Sequence, residues 1–187
     1  KVLVVNAPTS NIVSAAELAV SLLLAVARNV VPANLALKDG KWKRSQFGGV
    51  ELQDKTVGII GMGKIGMLVA TRLAGFDMKF VAYDPYVTVA PTDGPKIEMV
   101  SLDQLLAVSD FITIHIPKTA ETTGLINAAA LKKMKPTAFV INAAMLMLTA
   151  RWSNSLDVNN FWSALAASLI ISIVTTVISR SFKSPKN

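Results

Sequence analysis

The sequence predicts an α/β protein built on a doubly wound parallel sheet. Two observations carry this prediction. From Thr56 onward, short continuous apolar runs alternate with helical patterns, which is typical of parallel strands covered by helices on both faces. In addition, the first of these runs is followed directly by GMGKIG, a glycine-rich turn placed between a strand and a helix.

The sheet region, residues 48–144, contains five predicted strands: TVGIIG, KFVAYD, IEMV, FITIHIP and AFVINAA. Three predicted helices lie between them. The first covers residues 64–74, and the second begins at a capping box formed by Ser101 and Gln104. The third covers residues 128–135, where lysines in the last turn suit the helix dipole before a proline stops the helix.

The residues before the sheet divide into two segments. Residues 1–13 are interpreted as the end of a truncated substrate or lid domain, and residues 14–47 as an interdomain or dimerisation helix with a polar loop. Ser14 and Glu17 have the spacing of a capping box, which predicts a helix over residues 15–31. Because this helix is apolar nearly all round, most of its surface is expected to contact protein.

Trp42 lies in the predicted loop, among Lys41, Lys43 and Arg44. Two interpretations stay open at this point. The loop is either solvated with a half-buried tryptophan, or it docks against a partner subunit, where aromatic and arginine side chains are enriched.

The glycine-rich turn has the spacing Gly61-x-Gly63-x-x-Gly66. The spacing alone is a weak signal, but its place between a strand and a helix is what a dinucleotide-binding (Rossmann) fingerprint requires. The first glycine permits the tight turn, the second lets a diphosphate approach the backbone, and the third lets helix and strand pack closely. The phosphates are then expected on free amides of the helix N-terminus, including those of Lys64 and Ile65.

Asp84 ends the run KFVAYD, roughly twenty residues after the glycines. A carboxylate at this place accepts hydrogen bonds from the adenosine ribose and repels a 2′-phosphate, so the predicted cofactor is NAD rather than NADP. The alternative is a turn residue ahead of Pro85. His115, the only histidine, follows FITI; a wall residue beside the dinucleotide is favoured over a catalytic base, and a hydrogen-bonded core residue is the third interpretation.

Composition excludes several functional classes. The net charge is +7, but the basic residues are scattered among acids without a basic run interleaved with aromatics, so nucleic-acid binding is not expected. The chain has no cysteine, which excludes disulfides and thiolate metal sites. We therefore expect no metal centre and a cytoplasmic location.

Several segments together resemble the D-isomer-specific 2-hydroxyacid dehydrogenases, in the family's order and spacing: NAPTSNIVSAAE, KDGKWKRSQFGGVELQDKTVGIIGMGKIG, YDPY, DFITIHIPKTAETTGLIN and VINAA. The resemblance covers residues 2–144. It implies an NAD-dependent oxidoreductase with a small-molecule D-2-hydroxyacid substrate, and a homodimer or higher homo-oligomer formed through the first helix and the Trp42 loop. It places the cofactor contacts on Gly61, Gly63, Lys64, Ile65, Gly66, Asp84, Ile116, Ala143 and Ala144.

The resemblance also implies a mechanism that this chain departs from. In the family an arginine holds the substrate carboxylate, and a histidine paired with a glutamate takes the hydroxyl proton as hydride passes to the nicotinamide. Here the arginine position is Met145, which cannot form a charge-assisted pair. No histidine follows His115 and no acid follows Asp157. No catalytic residue is assigned, and negligible turnover is expected from this chain.

Residues 145–187 are an atypical tail. All ten glycines precede it, which suggests a frameshift, a chimeric sequence or an unrelated tail. Residues 161–179 are uncharged and long enough to span a bilayer. The basic residues after them would leave the sheet region outside the cell, so a membrane anchor is the less favoured interpretation. A non-catalytic NAD-binding sensor or scaffold, with or without this anchor, is the alternative to an oxidoreductase.

Overall fold

The computed structural model describes residues 11–89, 92–117, 119 and 121–142. In chain order the elements are α1 Ile12–Ala27, α2 Val30–Lys38, a 3₁₀ helix Arg44–Phe47, β1 Thr56–Ile60, α3 Lys64–Leu73, a 3₁₀ helix Ala74–Phe76, β2 Lys79–Tyr83, β3 Ile97–Met99, α4 Leu102–Val108, β4 Phe111–Ile114, α5 Ala128–Lys133 and β5 Phe139–Ile141.

The strands of the described chain form one sheet in the order β3-β2-β1-β4-β5. Every neighbouring pair is parallel, and Val57 of β1 lies opposite Phe80 of β2 on one side and Phe111 of β4 on the other. The chain adds β2 and β3 on one side of β1 and then crosses to add β4 and β5. This confirms the doubly wound parallel sheet. It also places the topological switch point, where such folds bind ligands, between β1 and β4.

Helices cover both faces of the sheet. On one face α1 and α3 pack against the sheet in a core that includes Leu22, Leu73 and Phe111 of β4, which are almost fully buried. On the other face α4 and α5 enclose a second cluster that includes Leu105 and Ile112. Each such side chain contributes about 2 kcal/mol of apolar burial, so the two clusters hold the strand ends in fixed relative positions.

The first helix differs from its prediction at both ends. It begins before Ser14, whose hydroxyl donates to the Asn11 carbonyl at 3.1 Å from inside the first turn. The predicted capping box of Ser14 and Glu17 is therefore wrong. The helix also ends short of residue 31, because Asn29 adopts the left-handed conformation with φ 52° and starts a new helix.

The segment predicted as a polar loop is helical in its first part. The polar loop was predicted from Pro32 onward, but Pro32 stands in the first turn of α2. A proline there breaks no helical hydrogen bond, because the first amides of a helix have no intrahelical partner. The loop prediction is thus wrong up to Lys38. Trp42 lies beyond the helix, and it is 79% exposed rather than half-buried.

The remaining elements follow the sequence pattern closely. The capping box before α4 is confirmed: the hydroxyl of Ser101 accepts from the Gln104 amide at 3.3 Å, and the Gln104 side chain accepts from the Ser101 amide at 3.2 Å. α5 ends at Lys133, two residues earlier than predicted, and its first turn is capped by Asn127. β4 ends at Ile114, so the histidine after it lies at the carboxyl edge of the sheet.

Several predictions fall wholly or mostly outside the described residues, namely those on the segment 1–13, on Ala143, Ala144 and Met145, and on the tail 145–187 with its candidate span 161–179. Within the described part of the chain, no single helix is long and apolar enough to cross a membrane. Within the same residues, α1 and α2 taken together have the length and composition of a membrane span, but they are bent by 64° relative to each other. Much of the apolar surface of α1 is buried in the core that it shares with α3 and the sheet.

Candidate dinucleotide-binding site

The predicted site residues within the described chain come together at the carboxyl edge of the sheet. The glycine turn follows β1, Asp84 follows β2, and His115 and Ile116 follow β4. Because β1 lies between β2 and β4, the three connections are neighbours around the switch point. The structure thus brings residues from three separate chain segments to one edge of the sheet.

Gly61 and Gly66 are required by the backbone geometry of the turn. Gly61 has φ +101°, and a Cβ there would lie 2.8 Å from the His115 carbonyl carbon and 2.9 Å from the Ile116 side chain. A Cβ on Gly66 would collide with the Gly61 carbonyl oxygen, and it would lie 3.2 Å from the Ile59 side chain. These contacts explain the tight turn and the close approach of α3 to β1.

Gly63 has a different environment. It is the N-cap of α3, and a Cβ built on it meets no atom within 4 Å. No side chain in the described chain caps the helix, and its first turn carries no acidic residue. The amides of Lys64 and Ile65 therefore stand at a helix N-terminus with the partial positive charge that favours an anion.

Asp84 uses both carboxylate oxygens on backbone amides. Oδ2 accepts from Met62 N at 2.8 Å, within the glycine turn. Oδ1 accepts from Tyr86 N at 2.8 Å and from Val87 N at 3.1 Å, which closes the turn after β2. Asp84 is therefore a turn residue, as the alternative interpretation held, and its Oδ2 retains one lone pair for a further donor.

His115 is mostly buried beside the glycine turn. Its amide donates to the Ile60 carbonyl at 2.7 Å, and its Nε2 lies 2.8 Å from the hydroxyl of Thr113. Burial lowers the pKa of His115 from 6.5 to about 4. A neutral imidazole with so low a pKa is poorly matched to proton abstraction at neutral pH, which favours a wall residue over a base.

Sequence reasoning missed the contacts that link these loops. Thr113 stands two residues before His115, a spacing that puts both side chains on one face of a strand, and this signal was available. The hydroxyl of Tyr86 donates to Glu121 at 3.4 Å and joins the loop after β2 to the loop after β4. No local pattern predicts that pair, because 35 residues separate its members.

The arrangement is suited to binding more than to proton transfer. It offers backbone amides at a helix start, a carboxylate, and an opening that lacks side chains beside Gly63. In the described residues no group of three or more histidine or acidic side chains forms a metal-binding cluster. A diphosphate fits this turn, since only glycine leaves the backbone accessible there.

A family model, described as the D-isomer specific 2-hydroxyacid dehydrogenase, NAD binding domain, matches residues 20–147. The chain belongs to this family. NAD is accordingly the cofactor of this domain, as the glycine turn and Asp84 predicted. The family assignment confirms the resemblance found in the sequence.

Individual proteins are also similar to this chain in sequence and structure. The D-3-phosphoglycerate dehydrogenase of Mycobacterium tuberculosis is 56% identical over 143 residues, which is 76% of this chain and 27% of that enzyme. The chain thus spans about a quarter of the length of the curated relatives it matches. Among solved structures, a Salmonella D-lactate dehydrogenase superposes with a TM-score of 0.67 at 34% identity, covering 73% of this chain and 41% of that one.

The NAD-dependent formate dehydrogenase of Staphylococcus aureus, solved in complex with NAD, is a second structural relative. It has a TM-score of 0.67 at 28% identity, and the match covers 95% of this chain and 64% of that chain. These similarities establish the fold and the class of enzyme to which the relatives belong.

Proposed function

We propose that the chain is the NAD-binding part of a cytoplasmic oxidoreductase that oxidises the C2 hydroxyl of 3-phosphoglycerate, or of a related D-2-hydroxyacid, in serine biosynthesis. The observation that carries the proposal is the clustering of the glycine turn, the α3 N-terminus and Asp84 at the switch point of the sheet. The choice of substrate is supported by 56% identity to a D-3-phosphoglycerate dehydrogenase.

The residues divide the cofactor between them by their chemistry. The amides of Lys64 and Ile65 hold the diphosphate, Asp84 accepts from the adenosine ribose, and His115 with Ile116 forms the wall of the crevice. By resemblance Ala143 and Ala144, which lie outside the described residues, are assigned as further cofactor contacts. When bound, NAD supplies the acceptor for the hydride from C2. The chain's own residues bind and orient the cofactor, and we assign none of them to proton transfer.

Calorimetric titration of the 187-residue chain with NAD and NADP tests the cofactor site. We expect NAD to bind and NADP to bind at least about tenfold more weakly, because the Asp84 carboxylate repels the 2′-phosphate. The same chain with 3-phosphoglycerate and NAD should form negligible NADH, since Met145 stands at the arginine position. Absence of NAD binding would overturn the proposed site, and sustained NADH formation would overturn the assignment of no catalytic residue.

The substrate is tested in a chimera. Residues 2–142 replace the corresponding segment of the M. tuberculosis D-3-phosphoglycerate dehydrogenase, so that the remaining parts of that enzyme supply the rest of the site. We expect the chimera to oxidise 3-phosphoglycerate with NAD. A chimera that folds and binds NAD but accepts only a different D-2-hydroxyacid would contradict the proposed substrate.

We also propose a homodimer. The sequence assigned its interface to the first helix and the Trp42 loop; because α1 has much of its apolar surface in the core, the proposal keeps the loop and replaces that helix by α2. Leu35, Leu37 and Trp42 are 55%, 56% and 79% exposed. Leu37 and Trp42 line a groove of about 660 Å³, whose other walls include Lys43 and Arg44. Large apolar side chains gathered on one part of a surface indicate an interaction site, and the family resemblance points to a second copy as the partner.

A further inference from the structure

We propose that Asp84 is a positioning residue for the diphosphate site, in addition to its contact with the ribose. The inference rests on the proposed NAD site. It assigns to this carboxylate the task of fixing the backbone of the glycine turn before any cofactor arrives. The ribose contact alone does not require a bond between Asp84 and the turn.

The peptide between Gly61 and Met62 is held on both of its sides. Its oxygen lies against the start of α3, where a Cβ on Gly66 would collide with it. Its N–H donates to Asp84 Oδ2 at 2.8 Å. With the oxygen fixed by packing and the hydrogen fixed by a charge-assisted bond, this peptide plane has one orientation.

The hydrogen bond from Met62 to Asp84 fixes the backbone where it is intrinsically most flexible. Gly61 and Gly63 flank Met62, and glycine has more backbone freedom than any other residue. A Cβ built on Gly63 would meet no atom within 4 Å, so no packing surrounds this side of its backbone. The direction in which the α3 amides face the crevice therefore depends on the peptide that Asp84 holds.

The other carboxylate oxygen holds the Asp84 side chain in place. Oδ1 accepts from the amides of Tyr86 and Val87, which fixes the Asp84 side chain on the end of β2. The carboxylate thereby joins the turn after β1 to the turn after β2. An asparagine cannot reproduce both halves, because its NH₂ group would face either the Met62 amide or the Tyr86 and Val87 amides, and a donor would meet a donor.

Asp84→Asn separates positioning from ribose binding when it is combined with a modified cofactor. The probe is an NAD analogue with 2′,3′-dideoxyadenosine, which has no ribose hydroxyls at the adenosine end. If Asp84 also positions the turn, the variant binds this analogue about tenfold more weakly than the wild-type chain does. If Asp84 acts on the ribose alone, both proteins bind the analogue equally, and that result would overturn the inference.

Two controls make the result specific. Glu98→Gln removes an exposed carboxylate from β3 and is expected to leave analogue binding unchanged. Hydrogen exchange of the Met62 amide, measured without cofactor, should be faster in Asp84→Asn than in the wild-type chain or in Glu98→Gln. Failure of the wild-type chain to bind NAD would end the proposed function and this inference together. NAD binding with unaltered analogue affinity in the variant would end the inference alone.

If Asp84→Asn does not fold, the wild-type chain supplies the test. Without cofactor, the Met62 amide should be protected from hydrogen exchange by its bond to Asp84, whereas the amides of Lys64 and Ile65 at the start of α3 should exchange rapidly. A Met62 amide that exchanges as fast as those two amides would overturn the inference.

Discussion

His115 shows how the fold changes the chemistry of a single side chain. Burial lowers the pKa of His115 from 6.5 to about 4. At a pH between these two values the imidazole is mostly neutral in the folded chain and mostly protonated in the unfolded chain. Between these two pH values the unfolded state binds more protons than the folded state. The free energy of unfolding therefore decreases as the pH falls from about 6.5 to about 4, and it is unaffected by this residue above that range.

His115→Gln is expected to reduce this pH dependence. The wild-type chain should lose on the order of 3 kcal/mol over that range through this residue, since each unit of pKa shift corresponds to 1.36 kcal/mol. The variant should lack this part of the loss, whatever constant offset the loss of the Thr113 contact adds. Urea unfolding at pH 7 and pH 4.5 measures both proteins. Parallel pH dependences in the two proteins would contradict the buried, neutral imidazole.

The glycine turn between β1 and α3 is the central element of the candidate site. A glycine suits each of its three positions for a different physical reason: a positive φ at Gly61, a backbone collision that any Cβ would cause at Gly66, and an open side at Gly63. The structure thus separates glycines that are needed for folding from one that leaves room for a ligand. This distinction gives a prediction that the spacing of the motif cannot.

Alanine substitutions at Gly63 and Gly66 should separate stability from binding. Gly66→Ala should cost about 3 kcal/mol, because its Cβ meets backbone that cannot move away. Gly63→Ala should change the free energy of unfolding by less than about 0.5 kcal/mol and still weaken NAD binding at least about tenfold, because the methyl group occupies the approach of the diphosphate. Thermal unfolding and NAD titration measure the two effects.

Gly75→Ala is the matched control for this series. Gly75 lies in the 3₁₀ helix after α3, its φ is not positive, and a Cβ there meets nothing within 4 Å. We expect neither stability nor NAD affinity to change appreciably. Equal losses of stability at Gly63 and Gly66 would show that the open side of Gly63 has been misidentified.

Element prediction succeeded for most of the local signals, although the local capping box of Ser14 and Glu17 was wrong. The capping box of Ser101 and Gln104 and the continuous apolar strands identified α4 and the sheet, because these residues act on backbone within a few positions. The prediction failed at Asn29 and Pro32. A left-handed residue between two helices and a proline in a first turn are both compatible with a loop, so the local sequence does not distinguish a second helix from a loop there.

At the scale of the whole molecule, the site was predictable in its parts and not in its connections. The motif identified the glycines and Asp84, and the alternation of strands and helices placed them on one edge of the sheet. The bond from Met62 to Asp84 joins residues 22 positions apart, and it exists only because β1 and β2 are neighbours with a fixed register. Such contacts depend on tertiary structure, so no local pattern contains them.

The surface around Trp42 gives the prediction that concerns the assembled molecule. Because Trp42 is 79% exposed, Trp42→Ala removes little burial from a single chain and should leave its free energy of unfolding nearly unchanged. In a dimer the same side chain would be an aromatic anchor, and its truncation should cost at least about 2 kcal/mol, or about thirtyfold in the dimer dissociation constant.

Light scattering after size-exclusion chromatography, over a range of concentrations, measures this effect. Tyr86→Ala is the matched control, since Tyr86 is an aromatic side chain of equal exposure, 81%, at the cofactor edge of the sheet. The wild-type chain and Tyr86→Ala should dimerise alike, whereas Trp42→Ala should dissociate at higher concentration. A wild-type chain that is monomeric throughout, or a Trp42→Ala dimer as stable as the control, would contradict an interface at this loop. In that case the high exposure of Trp42 would not indicate an interface, because Tyr86 is exposed to a similar degree in different surroundings.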